Sequence, residues 1–290
     1  MQSFWISQRE FKEWKINQLK KGGDSESLDF LISLKYSGSN YLSLFTSISN
    51  EIHKKNFEEI ENTWNSFVKS SQPIQYLVGK CFWRDLEIQL NNDVLIPRPE
   101  TELIIDIARE KIINFGIGPG YFADLGTGSG AIAIAFAKEF PAWKCIATDI
   151  SPSAIDISKR NSCKNLIYQN LTFYLGDWWE PIQSLEGEFN LILSNPPYIP
   201  ERAYFDLDPS VLSHEPCIAL YGGKDGLNSF RIILKKAIKF LKKGGWLIVE
   251  NHFDQDHQVG KLFIENGFEF VKSIYDFNGI KRFVEGRKPL

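Results

Sequence analysis

Residues 121–137 restrict the fold more than any other stretch. Tyr121-Phe122-Ala123-Asp124-Leu125 reads as a short buried strand, and it runs into Gly126-Thr127-Gly128-Ser129-Gly130. Ala131-Ile132-Ala133-Ile134-Ala135-Phe136-Ala137 then starts a helix that stops before Pro141. Glycines at such a turn let backbone approach a ligand closely, and a helix N-terminus favours a nucleotide cofactor. The next strand, Cys145-Ile146-Ala147-Thr148, ends in Asp149, twenty-three residues after Gly126. A carboxylate there can accept from both hydroxyls of a ribose. From Tyr121 onward strands alternate with helices. Strands are expected near 121–125, 144–148, 171–175, 189–194, 245–250, 268–275 and 281–287, and helices near 130–139, 152–163, 226–242 and 255–266. The alternation predicts an α/β, doubly wound, mostly parallel sheet. Its site should lie at the strand C-termini, where Gly126, Asp149, Asp177 and Asn195 fall. Asn278-Gly279 fits a hairpin between the last two strands.

The apolar run Phe189-Asn190-Leu191-Ile192-Leu193-Ser194 ends in Asn195-Pro196-Pro197-Tyr198. Neither proline has an N–H, so the backbone there offers acceptors and no competing donors. The Asn195 side-chain oxygen and the Pro196 carbonyl form a rigid pair able to accept both hydrogens of an –NH₂ on a planar group. Tyr198 supplies a flat ring on which that group can stack. A plain proline-rich turn is the ordinary alternative, and the upstream glycine turn is the context that weighs against it.

Residues 126–131 also satisfy the dinucleotide pattern G-x-G-x-x-G/A, which alone is weak. Two features favour S-adenosylmethionine. Asp124, two residues before the first glycine, can pair with an α-ammonium, which a dinucleotide lacks. The Asn195–Pro196 acceptor pair suits a nitrogen gaining a methyl, not a hydride donor. Asp177-Trp178 follows Phe173-Tyr174-Leu175, at a strand end facing the same site. The pair reads as an adenine contact, Asp177 near the exocyclic amine and Trp178 near the ring; a loop with a buried Trp is the ordinary alternative.

These residues resemble the release-factor glutamine methyltransferase family, a branch of the class I S-adenosylmethionine-dependent methyltransferases. The resemblance runs from about Gln72 to the C-terminus. It includes Pro73–Gly79, Val94-Leu95-Ile96-Pro97-Arg98-Pro99-Glu100-Thr101-Glu102, Asp124–Gly130, Asp149, Gly176-Asp177-Trp178, Asn195–Tyr198, and Glu215-Pro216 through Gly222–Leu227. Asn-Pro-Pro-Tyr is shared with adenine-methylating enzymes; the Ile-Pro-Arg-Pro-Glu-Thr segment narrows the match. Trp246-Leu247-Ile248-Val249-Glu250 is followed by Asn251-His252-Phe253, where the family usually has a glycine soon after the Glu. The resemblance implies a seven-stranded methyltransferase sheet with one reversed strand, S-adenosylmethionine as cofactor, and the glutamine of the Gly-Gly-Gln motif of peptide chain release factors as substrate. It implies Asn195, Pro196, Pro197 and Tyr198 at the substrate. Asp124, Gly126, Thr127, Gly128, Ser129, Gly130, Asp149, Asp177, Trp178 and Asn195 fall at the cofactor, and Arg98, Pro99, Glu100 and Thr101 on a loop closing over it. Adenine N6 methylation and a non-catalytic binding module are the competing readings. The first would want a basic groove and a target-recognition segment; the second sits badly with an intact Asn195–Tyr198 motif.

The chain of 290 residues carries 33 Lys and Arg against 36 Asp and Glu, a formal charge of −3. That balance weighs against extensive phosphate-backbone contact, so no nucleic-acid substrate is expected. Lys235, Lys236, Lys239, Lys242 and Lys243 read as a solvated helix face. No apolar run approaches the ~20 residues of a membrane span. Met1-Gln2-Ser3-Phe4-Trp5 lacks a basic n-region, and the four cysteines lack metal or disulfide spacing, so a cytoplasmic protein is expected. His53, His214, His252 and His257 show no ligand or triad spacing, and no metal site is expected.

Three segments are expected: a helical substrate-docking domain over 1–75, a β-hairpin linker over 76–99, and a catalytic domain over 100–290. In the first, Phe4, Phe11 and Trp14 share a face, as do Ile52, Ile60 and Trp64, with turns at Lys20–Asp24 and Ser37–Asn40. In the hairpin, Phe82, Arg84, Leu86, Ile88 and Leu90 are expected on one face, with the turn at Asn91-Asn92.

Overall fold

Apolar residues at helical spacing build the N-terminal part of the chain. The computed structural model describes residues 5–6, 8–36, 52–70 and 72–290. The chain divides into two compact units, Met1–Val78 and Gly79–Leu290. In the first, helices Gln8–Leu19, Ser25–Tyr36, Lys54–Ser70 and Ile74–Val78 gather Phe11, Leu28, Leu31, Ile32, Ile60, Trp64 and Ile74 into one core. Trp64 is fully buried, and its indole N–H donates to the Gln18 carbonyl at 3.1 Å, the partner a buried indole needs. The turn at Lys20–Asp24 takes glycine for a packing reason: a Cβ on Gly23 would meet the Trp64 ring at 2.7 Å. An all-helical unit needs one correction, because β1 (Trp5–Ile6) pairs antiparallel with β2 (Ile52–His53). Phe4 and the Ser37–Asn40 turn lie outside the described residues.

The second unit opens with a hairpin, β3 (Lys80–Trp83) and β4 (Leu86–Gln89). Its register corrects the sequence expectation. The turn is Arg84-Asp85, with Arg84 at φ 50°, and it pairs Trp83 with Leu86. Side chains alternate across a strand. Cys81 and Trp83 therefore share the buried face with Leu86 and Ile88, and Phe82 is exposed. Two asparagines one helical turn apart hold the outer strand. Asn161 accepts from Gln89 N (2.7 Å) and donates to Gln89 O (3.0 Å). Asn165 accepts from Glu87 N (3.3 Å) and donates to Glu87 O (2.9 Å).

The central sheet contains β5 (Tyr121–Leu125), β6 (Lys144–Asp149), β7 (Leu171–Leu175), β8 (Phe189–Ser194), β9 (Leu241–Glu250), β10 (Glu269–Tyr275) and β11 (Lys281–Arg287). Its spatial order is β10-β11-β9-β8-β5-β6-β7. β11 runs antiparallel to both neighbours, and the other pairings are parallel. The chain winds outward from β5 to β7, then restarts at β8. That reversal opens a crevice between the C-terminal ends of β5 and β8. β9 begins at Leu241, four residues before the expected start. Leu241 pairs with Phe189, a register shift follows, and Trp246 pairs with Leu191. Helix Asn228–Phe240 buries Phe230, Ile233, Leu234, Ala237 and Phe240 against the sheet. Lys235, Lys236 and Lys239 face outward from it, with Lys239 on Glu186 at 2.8 Å, a surface pair worth about 0–1 kcal/mol. Lys242 and Lys243, expected on the same face, fall in β9 because the helix ends at Phe240.

Candidate active site

The glycine turn owes its shape to three positive φ angles, 74° at Gly126, 54° at Gly128 and 85° at Gly130. Each glycine has a different reason. A Cβ on Gly130 would come within 2.9 Å of Ser158 Cβ, so helix Ala131–Glu139 packs directly on helix Pro152–Lys164. A Cβ on Gly126 would touch the Trp178 ring at 3.4 Å, whereas one on Gly128 would meet nothing within 4 Å. The turn is tied back to the sheet, because Gly126 N and Thr127 N both donate to Thr148 O at 2.9 Å.

A cavity of about 290 Å³ opens at the crevice. Gly126, Thr127, Gly128, Ser129, Thr148, Asp149, Asp177 and Trp178 line one side. Asp149 is held by two backbone donors, Gly128 N on Oδ2 (2.8 Å) and Ser151 N on Oδ1 (2.9 Å). Each carboxylate oxygen keeps a further lone pair for a ligand hydroxyl. Burial raises the Asp149 carboxyl above its usual range. Trp178 sits on this wall at φ 45°, a conformation uncommon outside glycine, while Trp179 turns into the core and stacks on Phe240 at 4.4 Å. The Asp177-Trp178-Trp179 run thus serves cavity and core at once.

Asp124 is placed differently from its expected contact with an ammonium. It is fully buried behind the turn and does not line the cavity. Its Oδ2 accepts from Thr127 Oγ1 (2.6 Å) and Ala133 N (3.2 Å), while Oδ1 has no partner among the described residues. Burial pushes its carboxyl up to about 7, with the charge of Asp149 adding to it. Gly130 is likewise a packing residue, off the wall.

Asn195, Pro197 and Thr101 make a second part of the lining. Asn195 Nδ2 donates to Thr101 Oγ1 at 3.3 Å, and Oδ1 has no hydrogen-bond partner among the described residues. Pro196 is buried beneath the wall. Tyr198 is also off it: its hydroxyl donates to Glu250 Oε1 at 3.0 Å, and its carbonyl accepts from Gln255 Nε2 at 2.9 Å. The expected stacking face is therefore a tethered ring, because a buried phenol takes a hydrogen-bond partner. Of Arg98, Pro99, Glu100 and Thr101, only Thr101 reaches the cavity; Asp93, Val94, Leu95 and Pro97 supply the rest of that segment's wall. Arg98 points the other way and pairs with the buried Glu215 at 2.6 Å.

Several contributors escape a reading of the sequence. Ile218, Ala219 and Tyr221 line the cavity because the chain after the motif is bridged to them, Ile199 N donating to Leu220 O and Gly222 N to Ile199 O, each at 2.9 Å. Glu250 carries one sequence signal only, an acidic residue closing an apolar strand. The loop after it, where the expected glycine is missing, is held by Asn251. That residue is fully buried, with Nδ2 donating to the carbonyls of His252 (2.7 Å) and Lys281 (3.1 Å).

A family model described as a methyltransferase domain matches residues 121–276. The release factor glutamine methyltransferase of Prochlorococcus marinus is 40% identical over 98% of this chain and 98% of its own length. That of Synechocystis sp. is 40% identical over 81% of this chain and 79% of its own. Among solved structures, a methyltransferase from Pyrococcus furiosus superposes with a TM-score of 0.52 at 22% identity, over 71% of this chain and 91% of that one. The hMettl16 catalytic domain bound to a MAT2A 3′UTR hairpin gives 0.57 at 14%, over 70% and 74%. These two likenesses speak for the fold alone.

Proposed function

Because the chain belongs to the release factor glutamine methyltransferase family, we propose that its cavity serves methyl transfer from S-adenosylmethionine to the side-chain amide nitrogen (N5) of the glutamine in the Gly-Gly-Gln motif of a peptide chain release factor. The observation that carries this reading is the orientation of Asn195. Its Nδ2 is engaged by Thr101, so its Oδ1 is the end left for a ligand in the cavity that Asp149 and the glycine turn also line.

The cofactor wall fits S-adenosylmethionine. Asp149 retains acceptor capacity for two ribose hydroxyls, and the room beside Gly128 admits a close backbone approach. Trp178 and Ile150 offer apolar surface to an adenine, and Asp177 an acceptor for its amine. When bound, S-adenosylmethionine supplies an electrophilic methyl on a sulfonium.

An amide nitrogen is a poor nucleophile because its lone pair is delocalised. As the new N–C bond forms and the methyl's bond to sulfur breaks, releasing a neutral thioether, the nitrogen gains positive character, its N–H groups become more acidic, and one proton passes to water. Asn195 Oδ1, which the cavity reaches, then holds such a hydrogen more strongly than in the ground state, which is the requirement for catalysis. Holding the two reactants in line can contribute up to about 7–11 kcal/mol. The amide and its glycine neighbours offer little to grip, so remote contacts must position the factor. The N-terminal helical unit is the proposed source of those contacts, in the cytoplasm where the factor works.

The test is mass spectrometry of purified release factor after incubation with this protein and labelled S-adenosylmethionine. One methyl on the Gly-Gly-Gln glutamine is expected. The kcat/KM on folded factor should exceed that on a short Gly-Gly-Gln peptide. Methylation of DNA in preference to the factor would overturn the assignment.

A further inference from the structure

Of the two polar side chains of the Asn-Pro-Pro-Tyr motif, Tyr198 meets a buried carboxylate directly and Asn195 meets Thr101, which neighbours that carboxylate. Glu250 ends β9 with no solvent exposure, and its Oε1 accepts from the Tyr198 hydroxyl at 3.0 Å. Its Oε2 is buried without a hydrogen-bond partner among the described residues. The Thr101 hydroxyl faces this carboxylate and favours its charged form, and Thr101 Oγ1 is the atom that accepts from Asn195 Nδ2. Of the other charged groups nearby, Arg282 favours the carboxylate and Glu100 opposes it.

The oxygen and nitrogen ends of an asparagine amide are almost the same size and shape. Packing alone does not decide which end meets a ligand; the hydrogen-bond partners do. A threonine hydroxyl has one hydrogen to donate and two lone pairs to accept. An ionised carboxylate only accepts. Placed beside Thr101, it claims the single hydroxyl hydrogen, and the lone pairs that remain can serve only a donor. Asn195 must then turn Nδ2 to Thr101 and Oδ1 to the cavity.

We propose that Glu250 is a positioning residue that sets the hydrogen-bond polarity of the substrate wall, orienting Asn195 through Thr101 and holding the Tyr198 phenol directly. This rests on the reading that Asn195 accepts from the substrate amide. It also names a specificity determinant. With the wall locked as acceptor, a side chain that donates is admitted. A glutamate carboxylate at the same place meets acceptors only and is rejected, because unpaired like-polarity groups are costly to bury. Burial pushes the Glu250 carboxyl up to about 7, so the acceptor-only form takes over as pH rises through neutrality. Protonated Glu250 can itself donate to Thr101, and the lock is lost.

The experiment uses the full chain, wild type and Glu250→Gln, with release factor as substrate and, as competitor, the same factor carrying glutamate in place of the Gly-Gly-Gln glutamine. Glu250→Gln should lower kcat by on the order of 10²-fold, the scale of a misplaced reacting group. Its affinity for S-adenosylmethionine should stay within about twofold, because Glu250 does not line the cavity. Two changes would not follow from a merely structural role. The rise of kcat with pH near neutrality should flatten, and inhibition by the glutamate-bearing factor should strengthen relative to binding of the normal one. Thr101→Val should reproduce the loss, Thr101→Ser should restore activity, and the double variant should be no worse than the worse single. If Glu250→Gln does not fold, Thr101→Val decides by the same readouts. Wild-type kcat in either variant, or a lost rate with unchanged pH profile and discrimination, overturns the proposal. A wild-type protein that leaves the factor unmethylated overturns the functional reading on which it rests.

Discussion

The two walls of the cavity are built by opposite means. On the cofactor wall, residues 126–129 and 148–151 come at the ends of two adjacent parallel strands, β5 and β6, and backbone groups do the holding. Thr148 O takes two amides of the turn, and Asp149 takes the amides of Gly128 and Ser151. On the substrate side, Thr101 and Asn195 line the cavity and Tyr198 and Glu250 do not; the four come from three separate stretches of chain, and side chains hold one another. Backbone-held geometry survives most substitutions around it. A side-chain network changes its polarity when one member changes. The two walls should therefore respond to mutation on different axes, affinity for cofactor on one and rate of transfer on the other.

The largest effect is expected from Asn195→Ala. Removing the side-chain acceptor should cut single-turnover methyl transfer by roughly 10²–10³, by analogy with loss of one oxyanion-hole partner. S-adenosylmethionine affinity should stay nearly unchanged. If calorimetry shows both quantities falling together, the walls are not separable and Asn195 also serves the cofactor.

Asp149→Ala should act on the other axis, weakening S-adenosylmethionine through two lost charge-assisted hydrogen bonds, each worth about 1.5–3 kcal/mol. Because Asp149 also holds Gly128 N, part of the loss comes from a loosened turn. Asp149→Asn retains one acceptor oxygen and should fall between the two. Unchanged affinity in a folded Asp149→Ala protein would remove this carboxylate from the site.

The same contrast explains what the sequence made legible. The glycine turn of the cofactor wall is written in one continuous motif, so its strand, turn and helix can be read residue by residue, and Asp149 and Asp177-Trp178 are legible at or just after the ends of the next two strands. The substrate wall can be read only at Asn195–Tyr198. Its partners lie far away along the chain, and a Glu at the end of an apolar strand looks like an ordinary strand terminus until Tyr198 is seen donating to it. Arg98 and Glu215 make an ion pair across 117 residues that no spacing rule suggests. The hairpin departs from expectation for a local reason. Asn91-Asn92 does make a turn, Val94 N donating to Asn91 O at 3.3 Å, but it follows the hairpin; the turn that closes the strand pair is Arg84-Asp85, which lacks a glycine or asparagine, and this carries Trp83 rather than Phe82 to the buried face.

The smallest effect on the cofactor axis is expected from Asp124, the carboxylate behind the glycine turn. It is fully buried and off the wall, so Asp124→Asn should change S-adenosylmethionine affinity far less than Asp149→Ala does. Its signature belongs to stability. Burial raises its pKa from an ordinary carboxylate value to about 7, so the folded protein binds this proton more tightly than the unfolded chain. The stabilising contribution is complete below about pH 4 and is lost as pH rises toward 7. Without cofactor, wild-type Tm should therefore decline between about pH 5 and 8, with the buried Glu250 contributing a similar decline. Asp124→Asn should make that decline shallower, by several degrees at about 2–4 °C per kcal/mol. Thermal scans across that pH range check it, and a slope identical to wild type would mean that Asp124 stays charged in the fold. An affinity loss as large as that of Asp149→Ala would instead bring Asp124 into direct contact with the cofactor, and the division between a backbone-held wall and its buried support would have to be redrawn.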